Sequence, residues 1–114
     1  MNASEADEVI LLDHNNPGQS AKDIKQAKIV KIIDHHGLAG FNSPETIYIL
    51  TEPVGCCYTV LYKLYKDNDI PITKNIAGLM LSAIISDTIL LKSQTTIQRD
   101  VKTANKLTKM LELI

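Results

Sequence analysis

Strongly apolar runs near the start of the chain predict strands, and longer helical patterns follow them. Val9–Leu12 is continuously apolar and Ile29–Ile33 nearly so, as expected of strands buried on both faces of a sheet. Between them, Ser20 is placed to cap a short helix. Strand, short helix and strand predict a βαβ unit, in which the two strands run parallel. Thr46–Leu50 is rich in β-forming residues and predicts a third strand.

In the second half of the chain, the apolar residues are spaced as in helices. Glu52–Cys57 opens a predicted helix that runs to about Lys66, with apolar positions at helical intervals. Thr73 can cap a second helix, which ends at about Ile85 or Ser86, and Gln98–Leu113 predicts an amphipathic last helix. The expected fold class is therefore α/β, with a mainly parallel sheet flanked by helices.

Polar residues with metal-binding chemistry follow the first two predicted strands. Asp13 comes directly after the first strand, and Asp34-His35-His36 directly after the second. Because parallel strands end at the same edge of a sheet, these side chains are expected to meet there. Asp87 lies at the end of the apolar second helix, where a carboxylate is costly unless it is paired or bound to a metal.

Asp13, His35 and Asp87 offer the oxygen and nitrogen donors that Mn²⁺ and Co²⁺ accept. One carboxylate can bridge two ions, and such a pair can activate a water and neutralise a phosphate. His36, next to a ligand but directed elsewhere, is placed to touch substrate. Asp34 would accept the hydrogen bond that fixes an imidazole tautomer.

Each of these residues also has a purely structural interpretation. Asp13 could be an ordinary turn residue, and the histidine pair could lie in a surface loop. His14 is either a neighbour of the site or solvated. The helix start at Gly55-Cys56-Cys57 could offer N–H groups to an anion, but a tight packing turn is the simpler interpretation. Lys92 could be a surface residue or face a phosphate.

Composition narrows the functional classes. The 114 residues fit at most one domain, and hydrophobic and charged residues make up 45% and 22% of them. A net charge of −1 without a basic run gives no electrostatic reason to expect nucleic acid as a partner. No apolar run is long enough for a membrane span, and no signal-peptide pattern opens the chain. The adjacent Cys56 and Cys57 fit a reducing cytoplasm.

The sequence resembles the family II (manganese-dependent) inorganic pyrophosphatases of the DHH phosphoesterase superfamily. The likeness is carried by Val9–Asn15 (VILLDHN), Ile32–His36 (IIDHH) and Ile76–Thr96 (IAGLMLSAIISDTILLKSQTT), with support from Glu52–Gly55. The Asp-His-His triplet is common to the superfamily. The Asp-His-Asn after the first strand and the Ser-Asp-Thr…Lys-Ser-x-Thr-Thr tract resemble the pyrophosphatase branch in particular.

The resemblance implies that Asp13 and Asp87 contact two metal ions and that His35 binds one of them. It implies that His36 faces the substrate phosphate and that Asp34 supports the triplet. It further implies Mn²⁺ or Co²⁺ as cofactor, a Mg²⁺-complexed inorganic diphosphate as substrate, a cytoplasmic setting and a homodimer formed through this domain.

Two departures from the family pattern predict an incomplete enzyme. The family's first strand carries a Gly-His-x-x-Pro-Asp-x-Asp motif that completes the metal sites, and this sequence has none. Nor does it contain the C-terminal domain whose Lys and Arg residues bind diphosphate. The chain is therefore expected to be part of a DHH catalytic domain, either an excised piece or one half of a domain split by a regulatory insert, and to be inactive or nearly so alone.

Two other functions remain open at this point. A DHH phosphodiesterase of short oligonucleotides or cyclic dinucleotides would share the triplet. A non-catalytic assembly or binding module would keep the fold without full metal occupancy, and apolar surface left exposed at a sheet edge would favour self-association.

Overall fold

The structure, a computed structural model, describes residues 2–112. These residues form two compact units, Met1–Glu52 and Pro53–Ile114. The first unit contains the sheet and the second contains the α-helices. The predicted α/β class is confirmed, and so is the parallel sheet. Among the described residues, no helix has the length and apolar character needed to cross a membrane.

The first unit is built on a parallel sheet of strands β1 (Val9–Leu12), β2 (Ile29–Asp34) and β3 (Tyr48–Thr51), in that order. Leu12 lies opposite Ile33, so β1 and β2 end side by side. Leu11, Ile24 and Ile32 form the core of the unit. The sequence predicted that β1 is buried on both faces, but Ile10 and Leu12 are 50% and 43% exposed.

The connection between β1 and β2 differs from the predicted short helix. It consists of two 3-10 turns, Pro17–Gln19 and Ile24–Gln26, rather than one helix capped by Ser20. Asn16 caps the first turn by accepting a hydrogen bond from the Gly18 N–H at 2.9 Å. A proline and a glycine at the start of this segment favour a turn over a regular helix.

The second unit consists of helices α1 (Cys57–Asp67), α2 (Lys74–Asp87) and α3 (Gln98–Glu112). The predicted cap is confirmed, since the Thr73 hydroxyl accepts a hydrogen bond from the Ile76 N–H. The helices pack around a core of apolar side chains that includes Tyr62, Met80, Ile84 and Leu107. Expected and observed boundaries differ by a few residues, mainly at the start of α1. Leu113, the predicted end of α3, lies outside the described residues.

A left-handed turn follows α2 directly. Ile89, Leu90 and Leu91 have φ values of 51°, 58° and 65°, which are unfavourable for residues with a Cβ atom. Thr88, which is completely buried, holds the turn. Its hydroxyl donates to the Ile84 carbonyl at 2.5 Å and accepts from the Leu91 N–H at 3.0 Å. Its carbonyl accepts the N–H groups of Lys92 and Ser93, each at 2.8 Å.

Candidate metal centre

Asp13 occupies the first position after β1 and turns the chain out of the sheet. Its N–H still donates to the Ile33 carbonyl at 3.0 Å, so its backbone is fixed by the neighbouring strand. Its φ of 65° is left-handed, a conformation that aspartate tolerates better than most residues. The side chain is 46% exposed, which leaves its carboxylate accessible to a ligand.

The two histidines after β2 lie beside this carboxylate. His35 Nε2 lies 2.9 Å from Asp13 Oδ1, and its side chain is only 13% exposed. His36 Nδ1 lies 4.0 Å from the same oxygen, and its side chain is 53% exposed. The two imidazole rings are tilted by 44°, with their centroids 4.1 Å apart. The predicted meeting of Asp13 with the Asp34-His35-His36 triplet at one edge of the sheet is thus observed.

Asp34 is the buried member of the group, with no exposed surface. Its Oδ1 accepts hydrogen bonds from His36 Nδ1 at 2.6 Å and from the His35 N–H at 2.7 Å. Asn15 Nδ2 donates to Oδ2 at 2.7 Å. Burial alone would raise the pKa of Asp34, but the hydrogen bonds from Asn15, His35 and His36 together hold the pKa below its usual value. Asp34 is therefore a carboxylate, and it requires a proton on His36 Nδ1, which leaves Nε2 of that ring outside the bond.

The donor set fits a divalent cation. Asp13, Asp34, His35 and His36 each offer an oxygen or nitrogen atom, and these atoms all lie within 4.8 Å of one another. Two ligands about 2.1 Å from one ion at right angles stand about 3 Å apart, close to the distance between Asp13 Oδ1 and His35 Nε2. Carboxylate oxygen together with imidazole nitrogen suits Mn²⁺, and the group contains no sulfur ligand.

Asp87 is the last residue of α2 in the second unit, and it is not one of these four. Asp87 was expected in apolar surroundings, but it is exposed, so the expected cost of burying its carboxylate does not arise. Its role as a metal ligand stays a prediction. Lys92 is exposed and lies just after the left-handed turn, and its suggested contact with phosphate is likewise a prediction.

Two alternatives left open by the sequence can be addressed from the contacts. His14 Nδ1 lies 2.9 Å from the Leu12 carbonyl and its Nε2 lies 2.5 Å from Ser20 Oγ, so both ring nitrogens are engaged within the loop. The Gly55 N–H donates to Asp100 Oδ2 at 2.9 Å. A Cβ atom on Gly55 would also lie 2.9 Å from that oxygen. The turn at Gly55 is therefore a packing turn.

Sequence reasoning missed the parts played by Asn15 and Asp100, both buried and both hydrogen-bonded. Asn15 supports the triplet, and only its place beside Asp13 hinted at this. Asp100 is the third residue of α3 and accepts from the Ile97 N–H at 2.9 Å, which is half of a capping box. An acidic residue at that position is a sequence pattern that predicts the start of α3. Its hydrogen bond to Gly55 could not be predicted from the sequence.

Comparisons with known proteins agree with this geometry. A relative from Lactiplantibacillus plantarum, named probable manganese-dependent inorganic pyrophosphatase, is 50% identical over 97% of this chain and 36% of its own length. A relative of the same name from Brevibacillus brevis is 53% identical over 95% of the chain and 35% of its own. The chain thus spans little more than a third of these proteins.

A solved structure has a similar fold. The crystal structure of a proposed family II inorganic pyrophosphatase from Methanococcus jannaschii is 37% identical, with a TM-score of 0.90 over 99% of this chain and 40% of its own. The family model described as the DHH family, N-terminal domain, matches residues 2–84, a range that contains Asp13 and the whole Asp-His-His triplet. The chain therefore belongs to the DHH family.

Proposed function

We propose that the chain is part of the catalytic domain of a manganese-dependent inorganic pyrophosphatase, which hydrolyses diphosphate to two phosphates. The observation that carries the proposal is the group formed by Asp13, Asp34, His35 and His36, whose donor atoms lie within 4.8 Å of one another. The names of the relatives from L. plantarum and B. brevis supply the metal and the reaction.

Asp13 and His35 would bind Mn²⁺, or Co²⁺ in its place, and Asp87 would complete the ligands that this chain contributes to a pair of ions. When bound, the ions supply an activated water and neutralise charge on the phosphates. Asp34 holds a proton on His36 Nδ1, so the exposed ring would present Nε2 to a phosphate oxygen of Mg²⁺-complexed diphosphate. In these roles His36 and Asp34 are the catalytic pair, of which His36 touches the substrate.

The chain by itself would be inactive or nearly so. It spans 35–36% of the length of the two pyrophosphatase relatives, and the Gly-His-x-x-Pro-Asp-x-Asp motif of the family does not occur within its 114 residues. Within the proposal, Met1–Ile114 is a partial DHH catalytic domain, and the parent protein is a cytoplasmic homodimer. The edge strand β3 supports self-association, because Tyr48 and Ile49 are about half exposed.

Phosphate release from diphosphate by the full-length protein tests the proposal. We expect turnover that requires Mn²⁺, and a loss of at least about 100-fold in Asp13→Ala and in His35→Ala, since each removes a metal ligand. Lys22→Ala, an exposed change in the same unit, is the matched control and should retain activity.

The same proteins distinguish the other functions. Cleavage of a short oligonucleotide or a cyclic dinucleotide with no release from diphosphate would replace the proposal with a phosphodiesterase. Absence of both activities, together with dimerisation that is unaffected by Asp13→Ala and His35→Ala, would indicate an assembly module. Robust turnover by the isolated 114-residue chain would contradict the claim that it is incomplete.

A further inference from the structure

We infer that Asn15 is the positioning residue of this site, because it fixes Asp34 and the loop after the two histidines in a single arrangement. This role rests on the proposed function only for its effect on catalysis. The effect on the geometry of the triplet is independent of the substrate. Both heteroatoms of the Asn15 side chain are engaged by protein groups, Nδ2 by Asp34 and Gly37 and Oδ1 by Ala39.

The side-chain amide of Asn15 is buried, and its nitrogen and its oxygen are both hydrogen-bonded. The residue is 3% exposed. Its Nδ2 donates to Asp34 Oδ2 at 2.7 Å and to the Gly37 carbonyl at 3.0 Å, and its Oδ1 accepts the Ala39 N–H at 2.6 Å. The orientation of the amide is unambiguous, because a flipped group would place its oxygen against a carboxylate and a carbonyl and its NH₂ against an N–H.

These bonds connect Asn15 to the catalytic histidine through one carboxylate. Because Nδ2 holds Oδ2 of Asp34, the other oxygen stays directed at the His35 N–H and at His36 Nδ1. Asp34 is buried and cannot replace a lost donor with bulk water at no cost. Removing the Asn15 donor should therefore let the carboxylate rotate and weaken its hold on the His36 tautomer.

The other two hydrogen bonds of Asn15 hold the loop that follows the histidines. Gly37, Leu38 and Ala39 are all exposed, and Leu38 has 78% of its surface open to solvent. Both peptide groups that bracket Leu38 in this loop, the Gly37 carbonyl and the Ala39 N–H, bind the same buried amide. Asn15 therefore determines how the chain leaves the triplet, and the cleft beside the site is lined by Asp13, His36, Gly37 and Ala39.

Only an amide supplies this combination. Aspartate has the same shape and could still accept the Ala39 N–H, but it would place a second carboxylate against Asp34 and leave the Gly37 carbonyl without a donor. Serine is neutral but too short to reach all of these partners. Asn15→Asp and Asn15→Ser therefore remove the donor in two chemically different ways.

The test uses the full-length protein with ¹⁵N-labelled histidine, and Asn16→Asp is the matched control. Asn16 is the next residue and undergoes the same change in charge, but its side-chain oxygen accepts a bond from the Gly18 N–H, which aspartate can also do. In the metal-free wild type and in Asn16→Asp, the ¹⁵N shifts should report His36 protonated at Nδ1. In both Asn15 variants we expect a mixture of tautomers, with Mn²⁺ affinity lowered about 10–100-fold.

A folded Asn15 variant with wild-type His36 shifts and Mn²⁺ affinity would overturn the inference. So would equal losses in Asn16→Asp. Unfolding of both Asn15 variants would show a structural residue and overturn it as well. Failure of the wild-type protein to hydrolyse diphosphate would reject the proposed function, while the NMR and Mn²⁺ measurements would still decide the role of Asn15.

Discussion

At the scale of single residues, two carboxylates without exposed surface, Asp34 and Asp100, are stable because polar groups surround them. Asp100 is the purely structural case. Its Oδ2 accepts the N–H groups of Gly55 and Ile97, both at 2.9 Å, and its Oδ1 accepts the Thr59 hydroxyl at 2.6 Å. One side chain thereby joins the start of α1 to the start of α3.

Asp100→Ala should lower the free energy of unfolding by about 3 kcal/mol, because the buried Gly55 N–H and Thr59 hydroxyl and the partly buried Ile97 N–H all lose their acceptor. Urea unfolding of the full-length protein measures this. Asp67→Ala is the matched control: Asp67 is exposed at the end of α1, and its replacement should change stability by less than about 0.5 kcal/mol. Equal effects of the two substitutions would contradict the stabilising role of Asp100.

At the scale of elements, the sequence predicts the strands, helices and caps that depend on neighbouring residues in the chain. The apolar runs of β1 and β2, the Thr73 cap and the stripe of α3 are visible in the order of residues. The left-handed turn at Ile89–Leu91 is not, because three non-glycine residues with positive φ are held there by the buried Thr88 rather than by their own preferences. The same limit applies to Asn15, whose partners lie some twenty residues away.

Ile89→Gly should therefore stabilise the protein, although a substitution to glycine usually lowers the free energy of unfolding. Ile89 is β-branched, has a φ of 51° and is 68% exposed, so glycine relieves strain and loses little buried surface. We expect a gain of up to about 1 kcal/mol, measured as a rise in the thermal unfolding midpoint. Ile85→Gly, the same replacement within α2, should have the opposite sign. A loss of stability in both would show that the turn is not strained.

At the scale of the whole molecule, the proposed site residues belong to both units of the chain, and they are supported by different evidence. The four residues whose geometry is established all belong to the first unit, where parallel pairing of β1 and β2 made their meeting predictable. Asp87 belongs to the second unit, and its assignment rests on resemblance alone. The chain spans 35–36% of the length of the two pyrophosphatase relatives.

Anomalous diffraction at the manganese absorption edge, from crystals of the full-length protein grown with Mn²⁺, shows directly whether Asp13 and His35 bind the metal. We expect a peak bonded to the Asp13 carboxylate and the His35 imidazole, with Asp34 beside it and hydrogen-bonded to His36. A map in which Asp13 and His35 are well ordered with no peak between them, or in which manganese binds only elsewhere, would show that these residues are not the metal site.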